Sequence, residues 1–252
     1  MLMSAHAGSL SVAVAHAFVD VLPTEITIDG EDGRHFARVR RLRSGEVITL
    51  SDGRGNWRGY EIRGVEHAVL TVVAITEEFC EPSIVPRVAV APALIAKNRF
   101  DDMIVAAVEL GVDAILPFVA HRCVVEWRGA KADAALQRLH RLAREAAMQC
   151  RRSRLVHISA LVDAQQLRDQ PGLVIAAADG LDASALAAIS DRDVGWTVVS
   201  GPEGGLDDVD LDGLDAFGTV PRLRVGPHVV RAETAPLAAI AALNTVRHSQ
   251  NR

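Results

Sequence analysis

Two rhythms of apolar and polar positions divide this 252-residue chain. Up to Cys80 the apolar runs are short and mostly alternate with polar residues: Ile26-Thr27-Ile28, Val47–Ser51, Trp57–Ile62 and Ala68–Ile75. A period of two belongs to half-buried strands, and Asp52-Gly53 and Arg63-Gly64 supply turns between them. Roughly four to six short strands in one such stretch predict a small β-barrel over residues 17–80. His35 to Leu42 reads as a short helix or turn. Residues 1–16 read as a disordered or extended leader. The run Leu10–Val19 is apolar, but no basic segment precedes it and His16 interrupts it, so it is not read as a signal peptide.

Glu81-Pro82-Ser83-Ile84-Val85-Pro86 has two prolines and no period, which marks a linker at 81–86. Beyond it the rhythm changes. Continuous apolar runs at Val88–Ala93, Ala114–Phe118, Leu173–Ala178 and Trp196–Ser200 predict strands covered on both faces. Helical patterns lie at Arg99–Leu110, ended by Gly111, at Asp133–Gln149 and at Glu233–Arg247. On the second of these, Leu136, Leu139, Ala143, Ala146 and Cys150 share one face, with Arg141, Arg144 and Arg151 on another. Alternating strands and helices predict an α/β domain with a mostly parallel sheet over 87–252. No window approaches the roughly 18 uncharged apolar residues of a membrane-spanning helix.

Composition adds exclusions. With 49% hydrophobic and 23% charged residues the chain is no disordered polymer. Cys80, Cys123 and Cys150 form no CxxC pair and no even disulfide set, which fits a reducing cytoplasm. A net charge of −5 argues mildly against nucleic acid until it is mapped. Residues 34–63 hold eight arginines against three acids, and 138–154 hold six against Glu145 alone; each is a local +5. Residues 177–219 hold ten acids against one arginine, a local −9. Arginine suits bidentate contacts to phosphate, although solvated faces with local ion pairs give the same pattern.

The sharpest local feature is Ser200-Gly201-Pro202-Glu203-Gly204-Gly205, between a buried strand and an acidic helix starting near Asp207. Glycines at the end of a strand let backbone approach a ligand, yet the same residues suit a tight strand-to-helix turn. No Walker A loop or GxGxxG is present. A second loop, Val225-Gly226-Pro227-His228, leads through Arg231-Ala232-Glu233-Thr234-Ala235 into the last helix. The two loops would form two walls of one crevice. Taken locally, Glu233 complements the helix dipole, Arg231 pairs with it, and Thr234 is a candidate cap. No HExxH or Cys/His cluster has metal-ligand spacing, so no metal is expected.

Several motifs occur together in one order: His35-Phe36-Ala37-Arg38-Val39-Arg40-Arg41-Leu42-Arg43, Arg99-Phe100-Asp101, Glu109-Leu110-Gly111-Val112, Arg122-Cys123-Val124-Val125, Arg144–Arg152, Gly201–Gly205 and Gly226–Ala235. In this set the chain resembles the bacterial 16S ribosomal RNA uracil-N3 methyltransferases of the RsmE type, in the SPOUT superfamily. The resemblance implies a PUA-like β-barrel followed by an α/β domain with a trefoil knot. It implies S-adenosyl-L-methionine as cofactor, a homodimer, and 16S rRNA or the small ribosomal subunit as partner, with no membrane and no metal. By the match, Ser200, Gly201, Glu203, Gly204, Leu223, Val225, Gly226, Val229, Val230, Thr234 and Ala235 would hold the cofactor. Arg34, His35, Arg38, Arg41, Arg43, Arg122, Arg144, Gln149 and Arg152 would grip RNA. Departures from the family pattern stand at Val105-Ala106, Ala120-His121, Leu206, His228 and Ala232.

Uracil N3 is a weakly acidic imide nitrogen, so methylating it needs in-line placement, a proton acceptor and stabilisation of the developing anion. Arg231 is the candidate for the anion, and Glu203 or Glu233 for orienting the base or taking its proton. The alternative from another class is a non-catalytic RNA-binding or ribosome-assembly factor on the same fold, which would show no affinity for the cofactor.

Overall fold

The computed structural model describes residues 13–191, 193–215 and 220–250. The chain divides into two compact units. The first runs to Ser83 and includes Ala147–Leu155; the second holds Ile84–Ala146 and everything from Val156 onward.

In the first unit, β1 (Ala15–Phe18), β2 (Glu25–Ile28), β3 (Val47–Ser51), β4 (Asn56–Glu66), β5 (Val69–Ala74) and β6 (Phe79–Cys80) form one sheet. The order is β1-β3-β4-β5-β2, with β6 on β4. The alternation read from the sequence is the register. Ile48 lies opposite Tyr60, Ile62 opposite Val72 and Ile28 opposite Leu70, and all six side chains are buried in one core. β1 runs parallel to β3, with Ala15 opposite Ile48. The expected leader therefore stops short of residue 16, because Ala15 and His16 are buried strand residues. Alanine has low strand propensity, and burial of Ala15 and Ala17 outweighs it. The leader's first twelve residues lie outside the described residues.

The basic stretch after β2 folds as a short helix, α1 (Gly30–Arg34), that continues into a π-helical turn at His35–Val39. Phe36 and Leu42 sink into the core. Arg34, His35, Arg38, Arg41 and Arg43 stay exposed. Part of the second basic stretch returns to this unit. Gly55 N donates to Ser153 O over 3.1 Å and Leu155 N to Gly53 O over 3.0 Å, bridging Arg54 to Arg154. Those bonds, and Met148 packed against the core, explain why 147–155 belongs here and not with its sequence neighbours.

The second unit carries β7 (Val88–Pro92), β8 (Ala114–Ile115), β9 (His157–Ile158), β10 (Leu173–Ala177), β11 (Trp196–Ser200) and β12 (Arg222–Arg224). All are parallel, in the order β12-β10-β11-β7-β8-β9. Every residue of β7 and β11 is buried, as their unbroken apolar runs require. The helices are α2 (Lys97–Glu109), α3 (Ala130–Gln149), α4 (Ala164–Arg168), α5 (Ala183–Ile189), α6 (Asp208–Leu214) and α7 (Thr234–Gln250). On α3 the buried stripe is Ala135, Leu139, Ala143, Ala146 and Ala147. Among the described residues no helix is long and apolar enough to cross a membrane.

Candidate active site

β10, β11 and β12 are neighbours in the sheet, and their carboxyl ends open into a cavity of about 630 Å³. Ligands of parallel α/β sheets bind at that edge, where loops leave the strands. One wall is the loop after β11. The strand stays buried through Ser200, and at Gly201 the chain folds so tightly that a Cβ would stand 2.9 Å from Leu206 N. Gly205 N then donates to Pro202 O over 2.9 Å, and Gly205 takes a φ of +72°, a region costly for residues with a Cβ. Asp207 closes the turn by capping α6. Its carboxylate accepts from Val209 N at 3.2 Å and Asp210 N at 3.3 Å, and the Asp210 carboxylate accepts from Asp207 N at 3.3 Å.

The second wall is the loop after β12, with Val225, His228, Val229 and Val230 on the cavity. The third is the end of β10, Ile175 to Ala178, with Arg222 beside it. Arg231 also faces the cavity. Its carbonyl accepts from Thr234 N at 2.9 Å and Ala235 N at 3.1 Å, which starts α7, while its guanidinium makes no ion pair with any described residue.

Arg99, in the first turn of α2, reaches this edge and engages two carboxylates at once. One terminal nitrogen donates to Glu203 and the other to Glu233 Oε2 at 3.3 Å. A second cluster holds the outside of the Gly201–Gly205 loop. Arg122 Nη1 donates to Gly204 O at 3.0 Å, and its Nε lies 3.3 Å from Asp207 Oδ2. His121 Nδ1 lies 2.7 Å from the same Asp207 oxygen. The hydrogen bond between them holds the His121 pKa above its ordinary value and the Asp207 pKa below its own. Cys123 nearby is pushed up by burial, as a structural thiol is.

The fold brings together most of the expected cofactor residues. Gly201, Glu203, Gly204, Val225, Val229, Val230 and Ala235 line the cavity, as does Arg231. Ser200 and Leu223 do not line it; their side chains are buried in the sheet, where consecutive strand residues alternate faces. Gly226, Thr234 and Glu233 also lie off its lining. Thr234 is the first residue of α7 and not its cap. Of the residues expected on RNA, Arg34, His35, Arg38, Arg41, Arg43 and Gln149 are exposed. Arg144 and Arg152 are half-buried and have partners within the chain. Arg122 is exposed as well, while its guanidinium also contacts Gly204 O and the Asp207 carboxylate.

Sequence reasoning assigned no role to Arg99, Asp207 or His121. One local signal pointed to Arg99. The first turn of α2 has no acidic residue, and a cation there runs against the helix dipole.

Comparison with known proteins adds a family. Residues 82–244 match the RNA methyltransferase domain, and residues 28–73 match the RNA methyltransferase PUA domain. The ribosomal RNA small subunit methyltransferase E of Mycobacterium bovis is 31% identical over 239 residues, covering 91% of this chain and 90% of the relative. The protein of the same name from Bacillus subtilis is 29% identical, covering 90% and 91%. A crystal structure of ribosomal RNA small subunit methyltransferase E from Neisseria gonorrhoeae, bound to S-adenosyl methionine, superposes with a TM-score of 0.79 at 24% identity, covering 92% of this chain and 97% of that one.

Proposed function

The chain belongs to the ribosomal RNA small subunit methyltransferase E family, and from that premise we propose that it methylates N3 of a uridine in 16S ribosomal RNA with S-adenosyl-L-methionine. The observation that carries the reading is the cavity itself. Two Gly-Pro loops wall a space of about 630 Å³ that has a cation, Arg231, and a carboxylate, Glu203, on its lining. That volume suits a nucleoside-sized ligand. The walls also fit the proposed cofactor chemically, with small or apolar side chains at Ala176, Ala177, Val225, Val229 and Val230, and glycine backbone at Gly201 and Gly204.

The cofactor, when bound, supplies an electrophilic sulfonium methyl. The chain's own residues supply the rest. Arg231 offers its guanidinium to the uracil oxygen on which negative charge develops as N3 loses its proton. Glu203 lies on the cavity and accepts that proton, directly or through water. Glu233 lies off the cavity lining and serves as an anchor for Arg99. The exposed arginines of the 34–43 stretch hold RNA phosphates in the first unit. The finer expectations travel with this reading: a PUA-like barrel, a knotted chain path in the second unit, a homodimer and a cytoplasmic location.

The test uses small subunits from a strain lacking the methyl group. Purified protein and labelled S-adenosylmethionine are added, and the rRNA is mapped by mass spectrometry. One N3-methyluridine is the expected product. RNA binding without methyl transfer or cofactor affinity would favour the assembly-factor alternative.

A further inference from the structure

We infer that Arg99 is a positioning residue that sets where the Glu203 carboxylate stands in the cavity; this rests on the reading of the site given above. α2 begins poorly as a helix. Ala96 at its start makes no side-chain cap, and the first turn holds Lys97 and Arg99 with no acid. Cations at a helix N-terminus oppose the macrodipole, so local helix stability does not favour Arg99. Its compensation comes from far along the chain. The partners Glu203 and Glu233 lie 104 and 134 residues away.

The two partners differ in how firmly they are held. Glu233 is 19% exposed and stands just before α7, whose first turn is pinned by the Arg231 carbonyl. Glu203 is 41% exposed on a loop of glycines, which cannot fix a long side chain by packing. A planar guanidinium presents separate N–H groups in a rigid fork, so one arginine can hold a fixed carboxylate with one nitrogen and orient a mobile one with the other. A lysine, as a single point charge on a flexible stem, cannot hold both in fixed directions. Only Oε1 of Glu203 is taken by Arg99, which leaves Oε2 for a proton or a water in the cavity. Arg99 itself borders the cavity, and an unchanged cofactor Kd in its variants is what assigns its effect to Glu203, to which one hydrogen bond joins it.

The experiment compares Arg99→Met and Arg99→Lys with the intact protein, alone and in a Glu203→Gln background. Arg99→Met is expected to lower kcat by about 100-fold, the effect of a misplaced catalytic group, with the RNA KM and the calorimetric cofactor Kd nearly unchanged. Arg99→Lys should recover part of that loss. In the Glu203→Gln background Arg99→Met should cost nothing further, because its target is gone. Losses that multiply in the double variant, or a cofactor Kd that weakens in parallel with kcat, would overturn the inference. Hydrogen exchange gives a readout independent of turnover: the Gly205 amide, which donates to Pro202 O, should lose protection in Arg99→Met, and unchanged exchange there would also overturn it. A wild-type protein that transfers no methyl to any ribosomal RNA would sink the functional reading alone, with the exchange result still deciding the role of Arg99.

Discussion

His121 Nδ1 and Asp207 Oδ2 stand 2.7 Å apart beside the Gly201–Gly205 loop. The pair gives a pH prediction. The His121 pKa is raised above 6.5, so its contribution is complete below that value and is lost as pH rises through the higher folded value. The Asp207 pKa is lowered from 3.8, so its contribution is present above that value and is lost as pH falls through the lower folded one. The pair is therefore fully formed between about pH 3.8 and 6.5. Imidazole NMR should show His121 titrating above 6.5, and Asp207→Asn should return it toward that value while keeping the α6 cap, because asparagine caps as well as aspartate. A wild-type midpoint at or below 6.5 would contradict the pairing.

At the other edge of the same sheet a buried ion pair holds the fold. The Arg247 side chain is 2% exposed, and its Nη1 lies 2.5 Å from Asp113 Oδ2, with Nη2 donating to Gly111 O at 3.0 Å. Asp113 also accepts from Val88 N at 2.9 Å, so the pair ties α7 to the starts of β7 and β8. Removing one partner of a buried pair costs about 3–5 kcal/mol, and the partial exposure of Asp113 places Arg247→Ala near the lower end. Asp113→Asn should cost less, because an amide oxygen still accepts from both donors. Urea unfolding of the two variants ranks them; equal midpoints would contradict the argument.

Gly201 is needed for space and not for a special backbone angle. An added Cβ would stand 2.9 Å from Leu206 N and 3.0 Å from Gly205 C, both backbone atoms that move only with the loop. Gly201→Ala is expected to weaken cofactor binding by about tenfold or more, equivalent to about 1.4 kcal/mol, by calorimetry. Gly64→Ala, whose Cβ would meet nothing within 4 Å, is the control and should bind as the wild type does.

The elements that sequence reading located best are those whose signal is local. Val47–Ser51 and Trp196–Ser200 are β3 and β11 to the residue, because an apolar run bounded by turn residues carries its own boundaries. The cavity's two Gly-Pro loops were legible for the same reason. β1 was partly hidden, since Ala15 and Ala17 owe their strand to a partner more than thirty residues away. The return of 147–155 to the first unit left no local mark, because its determinant is backbone pairing with Gly53 and Gly55. Arg99 could be noticed as a misplaced cation, but its function lay in two carboxylates that only the fold brings together.

Arg41 offers a way to separate RNA binding from folding. It sits at φ 54°, a left-handed conformation that costs a side-chain-bearing residue about 1–2 kcal/mol and costs glycine little. Its side chain is exposed, as is that of Arg43, while Leu42 between them is buried in the core. A glycine would relieve the backbone, so the proposed RNA contact of the Arg41 side chain can be removed without straining the fold. Arg41→Gly should therefore leave urea stability unchanged or raise it by up to about 1 kcal/mol, the relief being offset by the greater freedom of glycine in the unfolded chain. It should at the same time weaken binding to 16S rRNA and flatten the dependence of log K on log salt by about 0.7–0.9, the share of one phosphate contact. Arg38→Ala and Arg43→Ala should each flatten it by a similar amount. An Arg41→Gly protein that binds RNA with the wild-type salt slope would remove this turn from the RNA surface, whatever its stability.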